Sequence, residues 1–402
     1  MSWEKAKLGD ICDFINGGAW SDKEYVSLGI PVLKVSNFKP SGFFIDDINY
    51  LPPDSAEKYE KNKLLLNDVI IATVGSHPNL QDSAAGRSCV VNSLVTGFYL
   101  NQNAVCVRTK NNDVLEQRYL GFLAKTQDFL HYIQSRGRGA ANQMRIAIGA
   151  IKEYEFVLPP MAIQRRIADI LSAYDDLIEN NRKQIKLLEE AAQRLYKEWF
   201  VDLRFPGHEH TKIVDGVPEG WEKQPLSSIA DIRMGQSPKS EFYNQIGEGL
   251  PFHQGVGSYG NRFVRDETYS TSFTRIAEAG SILFSVRAPV GRLNITKNKI
   301  VIGRGIAALN HKSRLQSFLF YMLKERFFKD NLVGNGSIFA SISKEELLNQ
   351  QFIIPCEDIM VQYDKAAQNI DDRIATLDRQ TELLTQARDR LLPKLMSGEV
   401  EV

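Results

Sequence analysis

The chain has 402 residues, 43% of them apolar and 24% charged, which is ordinary globular composition and excludes a disordered or fibrous chain. Its 49 Lys and Arg residues balance 49 Asp and Glu residues, giving a formal net charge of zero. This balance excludes a surface that is positive throughout, and the length predicts about two to four domains.

Residues 1–160 predict a globular α+β lobe, which we name lobe 1. An apolar run at residues 68–74 is typical of a buried strand, and residues 115–133 favour a single helix. The polar, glycine-containing segment that follows is predicted to be a loop. It concentrates side chains suited to contacts with nucleic acid: Arg136, Arg138, Asn142, Gln143 and Arg145.

Residues 161–202 predict a long helix, because apolar residues recur at alternating spacings of four and three. This is the pattern of a coiled-coil seam. The seam residues expected to pair with another helix are Leu171, Tyr174, Ile178, Asn181, Ile185 and Leu188. The polar Asn181 is a candidate for setting the register of the helices, although simple tolerance near a helix centre explains it equally well.

Residues 203–354 predict a second α+β lobe, lobe 2, with a strand at residues 281–286 and a helix at 315–329. Residues 355–402 predict a second long helix, whose seam includes Ile370, Ile374, Leu377 and Leu384. Several basic residues of lobe 2 lie near glycines: Arg262, Arg265, Arg287, Arg292 and Arg304.

The two halves of the chain repeat each other. Trp3-Glu4-Lys5 recurs as Trp221-Glu222-Lys223, and Gly86-Arg87 matches Gly291-Arg292. Near the helices the register settles, so that Phe156 matches Phe352. The sequence therefore predicts two copies of one unit, each a lobe followed by a helix.

The two helices are expected to pair, because an isolated amphipathic helix gains little stability in water. About 40 residues at 1.5 Å each would make a rod of about 60 Å. Since each lobe precedes its own helix, antiparallel pairing would put the lobes at opposite ends. The rod would then act as a spacer.

Motifs for catalysis fail on inspection. The glycines of residues 255–260 fit G-x-G-x-x-G, but the helix pattern that should follow is missing, so a glycine-rich loop is favoured. The chain has no Asn/Asp-Pro-Pro-aromatic motif for adenine methylation, no complete nuclease motif and no phosphate-binding loop. The sequence thus predicts a protein without its own catalytic centre or cofactor.

Cysteine and histidine spacing gives no metal site. The four cysteines are scattered, and His208-Glu209-His210 lies in a turn-like segment where a solvated loop is favoured. The N-terminus lacks an apolar core, and no run is long enough to span a membrane. We therefore expect a reduced, cytoplasmic protein that does not bind membranes.

The neutral total conceals an uneven charge distribution. Lobe 2 carries 19 positive and 14 negative groups, whereas the two helices together carry 13 positive and 18 negative groups. Arginine can bind guanine bidentately, Asn and Gln can bind adenine, and Lys and Arg bind phosphates. The clusters in both halves favour nucleic-acid binding, and we add Arg87, Gln236 and Lys239 to the candidate residues.

Particular segments carry a resemblance to a known family. They are the Leu195-Tyr196-Lys197-Glu198-Trp199-Phe200 end of the first helix, the Val217-Pro218-Glu219-Gly220-Trp221 entry to lobe 2, Gly235-Gln236-Ser237-Pro238, and the Arg390-Leu391-Leu392-Pro393-Lys394-Leu395 terminus. With the two-lobe repeat, they make the whole chain resemble the specificity subunit of type I restriction-modification systems, the HsdS family.

The resemblance implies a division of labour. Each lobe would be a target recognition domain that reads one half of a bipartite site in double-stranded DNA, and the helices would set the spacer. Two methyltransferase subunits would carry S-adenosylmethionine, and two restriction subunits would use ATP and Mg. A non-enzymatic coiled-coil scaffold or adaptor is the rival interpretation of the same helices.

Overall fold

The computed structural model describes residues 3–39, 42–76, 84–140, 143–327 and 341–402. The chain divides into two compact units, and each long helix contributes to both of them. Unit 1 comprises Met1–Asn180 together with Gln380–Val402, and unit 2 comprises Asn181–Arg379. Each unit therefore contains one lobe and a part of each long helix.

Unit 1 mixes short strands and helices. Its strands are β1 (Glu4–Lys7), β2 (Cys12–Asn16), β3 (Ile30–Leu33), β4 (Phe38–Lys39), β5 (Gly42–Phe43), β6 (Asn49–Leu51), β7 (Val69–Ala72), β8 (Val74–Gly75), β9 (Ser88–Val90), β10 (Tyr99–Leu100), β11 (Ala104–Thr109), β12 (Arg138–Ala140), β13 (Gln143–Arg145) and β14 (Glu155–Leu158). Its helices are α1 (Leu8–Ile11), α2 (Ser55–Tyr59), α3 (Gln117–Leu123), α4 (Gln127–Ser135), α5 (Ile148–Lys152), the first half of α6 (Met161–Phe200) and the end of α10 (Glu357–Ser397).

The main sheet of unit 1 is antiparallel, with strand order β2-β11-β7-β9. Strand β7 is buried along its whole length because apolar clusters cover both faces of the sheet. Val69 and Ile71 belong to one cluster, and Ile70 and Ala72 belong to the other, as the two-residue period of a strand requires. This explains why the sequence of the strand is continuously apolar rather than alternating.

Unit 2 follows the same plan. Its strands are β15 (Ile213–Val214), β16 (Val217–Pro218), β17 (Glu222–Pro225), β18 (Ala230–Met234), β19 (Tyr243–Asn244), β20 (Leu250–His253), β21 (Tyr269–Ser270), β22 (Ile276–Ala277), β23 (Ile282–Ser285), β24 (Leu293–Ile295), β25 (Ile300–Ile302), β26 (Ile306–His311) and β27 (Gln351–Ile354). Its helices are α7 (Leu226–Ile229), α8 (Gln316–Phe327), α9 (Lys344–Leu348) and most of α10 (Glu357–Ser397), besides the second half of α6.

The strand pairing confirms the internal repeat. The main sheet of unit 2 has the order β18-β26-β23-β24, which matches β2-β11-β7-β9 element for element. In each unit one parallel pair, β10 with β3 and β25 with β20, belongs to a second sheet. In each unit the first strand of the lobe also pairs with the strand just before its long helix, β1 with β14 and β17 with β27.

The long helices add apolar side chains to the cores of both units. Leu171 of α6 and Leu395 of α10 belong to the main core of unit 1. Ala192 of α6 and Tyr363 of α10 belong to the main core of unit 2, where the Tyr363 hydroxyl donates a hydrogen bond to the Ala192 carbonyl at 3.1 Å. Both helices therefore take much of their stability from packing against the lobes.

The predicted seam positions lie on the covered sides of the helices. Leu171, Ile178, Asn181, Ile374 and Leu377 are buried. The remaining predicted pairing residues are half-buried, namely Tyr174, Ile185, Leu188, Ile370 and Leu384. Burial at these positions is what a four-three apolar spacing produces.

Two predicted elements of lobe 1 are corrected. Residues 115–133 do not form one helix, because α3 ends at Leu123 and α4 starts after Thr126, whose hydroxyl accepts a hydrogen bond from the Phe129 amide at 3.3 Å. The segment from Arg136 to Arg145 is also not a plain loop, because it contains strands β12 and β13. The end of the helix predicted at 315–329 lies outside the described residues.

Candidate nucleic-acid interface

A small hairpin presents the basic residues of unit 1. Strands β12 and β13 pair antiparallel, with Arg138 directly opposite Arg145. Directly opposite residues share a face of the ladder, and both arginines are exposed, as is Gln143 two residues before Arg145. Met144 points to the other face and is buried in the core. The core thus holds one face of the hairpin while the other offers two guanidinium groups and one amide.

Arg136 stands at the base of this hairpin. Its guanidinium lies 3.5 Å from the centre of the Tyr132 ring and donates a hydrogen bond to the Tyr132 carbonyl at 3.2 Å. Stacking on an aromatic ring limits the freedom of this exposed cation. Asn142, the other predicted residue of the segment, lies outside the described residues.

Strand β8 connects the hairpin to the main sheet, and unit 2 has the same connection. In unit 1 the Ile146 amide donates to the Thr73 carbonyl, and Arg145 pairs with Val74. In unit 2 the Ile342 amide donates to the Val286 carbonyl, and the next pair joins Ser341 to Arg287. Arg287 is exposed. This pair of residues therefore contains an exposed arginine in both units. In unit 1 it is Arg145 on β13, whereas in unit 2 it is Arg287, which corresponds to Val74, the partner of Arg145.

Arg87 and Arg292 also occupy equivalent positions. The Ala72 amide donates to the Arg87 carbonyl at 2.9 Å, and the Ser285 amide donates to the Arg292 carbonyl at 2.9 Å. Their side chains differ, because Arg87 is half-buried and donates to the Phe38 carbonyl at 2.9 Å, whereas Arg292 is exposed. The match of Gly86-Arg87 with Gly291-Arg292 is thus confirmed for the backbone.

A second candidate surface in unit 2 is a shallow cleft whose lining includes Gln236, Ser237, Lys239, Glu241, Tyr243 and Arg304. Lys239 and Glu241 form an exposed ion pair there, with 3.8 Å between Nζ and Oε1. The Ser237 hydroxyl fixes its floor, because it donates to the Gln254 side-chain oxygen at 2.8 Å and accepts from the Arg304 amide at 3.2 Å. The side chains of Gln236, Lys239 and Arg304 are exposed. The cleft thus carries two cations and one carboxylate.

Unit 1 has a different sequence at the equivalent turn. The Gly235 amide donates to the Ile306 carbonyl, and the Gly17 amide donates to the Ala104 carbonyl, so Arg304 corresponds to Gln102. By the same correspondence Lys239 matches Ser21. Unit 2 thus has cations, Lys239 and Arg304, at two positions where unit 1 has uncharged side chains.

Arg262 is a correction to the predicted site. Its side chain is 3% exposed and forms an ion pair with Asp371 of α10, with 2.5 Å between Nη2 and Oδ1. A buried, paired guanidinium cannot reach DNA without breaking this contact, which would leave a charge buried without a partner. Arg265, three residues later, is exposed.

Sequence reasoning missed a hydrogen-bonded trio that shapes the glycine-rich loop. His253 is fully buried and contacts Ser258 Oγ through Nδ1 at 2.8 Å and Asp266 Oδ1 through Nε2 at 3.0 Å. Burial alone would raise the pKa of Asp266, but the hydrogen bond and charge of His253 hold that pKa below its usual range. Since His253 ends β20, these contacts hold Ser258 and Asp266, the neighbour of Arg265, against that strand.

The described ranges contain no group of three or more His, Cys, Asp or Glu side chains that could hold a metal ion. His208–His210 forms a single 3-10 turn. Within the same ranges, no helix is long and apolar enough to cross a membrane.

Comparisons with known proteins agree with this architecture. The family model described as "Type I restriction modification DNA specificity domain" matches residues 1–190 and again residues 218–392. A putative type I restriction enzyme MjaX specificity subunit of Methanocaldococcus jannaschii is 29% identical, covering 100% of this chain and 94% of that protein. The MjaIX specificity subunit of the same organism is 27% identical, over 72% of this chain and 70% of that protein.

A solved structure shares the fold. The crystal structure of the type I restriction-modification S subunit from M. genitalium aligns with a TM-score of 0.58 at 17% identity, covering 98% of this chain and 96% of that one. The two family matches cover most of the sequence and coincide with the structural repeat. The chain therefore belongs to the type I restriction-modification DNA specificity family, and it is a DNA specificity subunit rather than a coiled-coil scaffold.

Proposed function

We propose that each unit reads one half of a bipartite site in double-stranded DNA. The observation that carries the proposal is the exposed arginine at the same paired position of both units, Arg145 with its neighbour Arg138 in unit 1 and Arg287 in unit 2. Two copies of one reader, with different side chains at equivalent positions, suit two half-sites of different sequence.

The exposed side chains fall into those suited to base contacts and those suited to phosphate contacts. Arginine on a hairpin strand can reach a major-groove guanine bidentately, and Gln143 offers both a donor and an acceptor for adenine. Lys239 and Arg304, in the cleft of unit 2, suit phosphate oxygens, which position a protein without reading sequence. Arg136, Arg265 and Arg292 complete the proposed interface, and Arg87 contributes through the backbone it holds.

We further propose that α6 and α10 pair antiparallel as a spacer between the two readers. Support comes from contacts inside each unit: Asp175 on the first half of α6 pairs with Arg388 near the end of α10, and Ala192 on the second half pairs with Tyr363 near its start. Half-sites one helical turn apart are about 34 Å from each other, a distance that a 60 Å rod would span. The recognition domains would then be residues 1–160 and 203–354, with helical segments 161–202 and 355–402.

The methyltransferase subunits are proposed to dock on exposed apolar residues that recur in both halves. Leu187 of α6 and Leu383 of α10 match in the repeat and are 64% and 48% exposed. Val157 and Ile353, on β14 and β27, match in the same register and are 45% and 47% exposed. Large apolar side chains left in water at equivalent positions suit two copies of one partner.

Chemistry in the assembly is proposed to reside in partner subunits. Specificity subunits of this family are DNA-recognition subunits, so S-adenosylmethionine would be bound by methyltransferase subunits. ATP and Mg would serve restriction subunits. The chain itself would contribute the choice of target and the docking frame.

The decisive experiment is a methylation map of a host genome that expresses the chain with its methyltransferase partner. Arg145→Ala is expected to degrade one half of the methylated motif only, and Arg287→Ala the other half only. Arg166→Ala, an exposed arginine on α6, serves as the control. If both interface variants degrade the same half, the assignment of one reader to each unit is wrong.

A further inference from the structure

One carboxylate on α10 holds two separate elements of lobe 2. Asp371 Oδ1 accepts a hydrogen bond from the Tyr321 hydroxyl at 2.7 Å and pairs with Arg262 at 2.5 Å, while Oδ2 accepts from the Ser317 hydroxyl at 2.6 Å. Ser317 and Tyr321 lie one turn apart on α8. Arg262 lies beside β24, where its carbonyl accepts from the Ile295 amide at 3.0 Å. A single side chain thus joins the helix to two elements of the lobe.

The Arg262 side chain is buried among residues of α8 and α6. The guanidinium packs 3.7 Å from the centre of the Phe320 ring, and Nη2 also donates to the Tyr321 hydroxyl at 3.3 Å. Glu189 of α6 lies 4.0 Å from Nη1. A buried ion pair of this kind contributes little net stability relative to apolar packing. It permits few alternative arrangements of the side chains, because moving either partner away leaves a buried charge without a counter-ion.

Unit 1 has an aspartate at the equivalent position. Asp175 of α6 corresponds to Asp371 in the register that matches Phe156 with Phe352. It pairs with Lys125 of lobe 1 at 3.0 Å and with Arg388 of α10 at 2.5 Å. Burial alone would raise the pKa of Asp175, but Lys125 and Arg388 more than offset this and hold the pKa low. The partners differ from those in unit 2, while the aspartate and its link to the lobe recur.

We propose that Asp175 and Asp371 are positioning residues that each fix the orientation of a lobe on its own helix. They do not touch DNA; they set the direction in which the DNA-reading surface faces. The inference rests on the proposed reading of a bipartite site. One added or removed base pair moves a half-site by about 3.4 Å and turns it by about 35° around the DNA axis. A lobe held to its helix by an ion pair cannot rotate with the displaced half-site. The two aspartates therefore restrict the complex to one spacer length.

The test is a methylation map of the full complex in a host genome, scored for the spacer length of every methylated site. The variants are Asp371→Asn and Asp175→Asn, which keep the side-chain volume and remove the charge. The controls are Asp372→Asn and Asp176→Asn, the exposed neighbours at matching positions of the two helices. Asp371→Glu keeps the charge and should preserve most of the discrimination.

We expect wild type to methylate one spacer length. In Asp371→Asn, the methylated fraction should rise about tenfold at sites whose spacer is one base pair longer or shorter than in wild type. Both half-site sequences should stay unchanged. A purely structural role would instead lower methylation at all sites equally. If Asp371→Asn does not fold, Tyr321→Phe, which removes one donor to the same carboxylate, is scored for the same broadening.

Two results would overturn the inference. One is an Asp371→Asn or Asp175→Asn variant that folds and keeps the wild-type spacer. The other is a broadening that the matched control, Asp372→Asn or Asp176→Asn, shows equally. A wild-type complex whose methylated motif has no fixed spacer would refute the proposed function itself. The wild-type map therefore separates failure of the proposed function from failure of the anchors.

Discussion

Arg138 lies directly opposite Arg145 across strands β12 and β13, and both side chains are exposed. Like charges directly opposite each other destabilise an antiparallel pair. Arg138→Ala should therefore leave the free energy of unfolding unchanged or raise it by about 0.5 kcal/mol. The same variant should weaken binding to the specific duplex by about 1–3 kcal/mol, because it removes a base or phosphate contact.

Chemical denaturation and fluorescence anisotropy measure these two effects on one protein sample. Arg166→Ala is again the control, since it removes an exposed arginine of unit 1 from outside the hairpin. A fall in stability together with unchanged DNA affinity would show that the arginine pair serves the fold and not DNA.

The cleft of unit 2 should govern salt dependence. Lys239→Ala combined with Arg304→Ala removes two exposed cations. Each lost phosphate contact should make the negative slope of log K against log salt shallower by about 0.9. We expect non-specific duplex binding at low salt to weaken more than in the double variant of Arg138 and Arg145. An equal or smaller loss would place the non-specific contacts elsewhere. Alanine at the exposed Lys212 and Lys223 is the matched control.

Insertion of one heptad at corresponding central positions of α6 and α10 should change the spacer. Seven residues lengthen a helix by about 10 Å, which is about three base pairs of B-DNA. The methylated motif should keep both half-sites and gain a longer spacer, since the seam pattern survives a whole heptad. An unaltered spacer in the methylation map would refute the role of the helices as a ruler.

Each of two single substitutions should abolish the docking of one methyltransferase subunit. Leu187→Glu and Leu383→Glu each put a charge on an exposed apolar position. Each single variant should retain one methyltransferase subunit, and the double variant should retain none, by native mass spectrometry of the co-expressed complex. Leu177→Glu, at another half-exposed leucine of α6, is the control. Full occupancy in the double variant would rule out these leucines as docking residues.

Asp175 should give unit 1 a defined dependence on pH. Because Lys125 and Arg388 hold its pKa below the usual range, its ionised form stabilises the fold at neutral pH, and that stabilisation is lost as pH falls through the folded pKa. The stability difference between wild type and Asp175→Asn should therefore be constant above about pH 5 and shrink in more acidic solution. Denaturant titrations at several pH values measure it. A difference that does not change with pH would contradict the low pKa.

The features that sequence predicted well are those encoded by local patterns. The four-three spacing on α6 marks Leu171 and Ile178 as covered, and the repeat register survives in the strand pairing. The apolar run around Val69 forms the predicted buried strand because β-branched residues suit a sheet covered on both faces.

The failures involve partners distant in sequence. Arg262 and Arg265 are the same residue type in one short segment, yet only Arg262 is buried, because its partner Asp371 lies 109 residues away. Strands β12 and β13 have three residues each, which is too short for a strand pattern, and they depend on pairing with β8, far earlier in the chain. In each case the structure of a short segment depends on a residue or strand far away in the sequence, which local composition does not encode.

The two units are proposed to read two half-sites held at a fixed distance. The most direct test is the methylated motif of the wild-type chain expressed with its methyltransferase partner. We expect two short specific sequences separated by an unread spacer of one length. A single continuous motif, or two half-sites joined by spacers of many lengths, would contradict it.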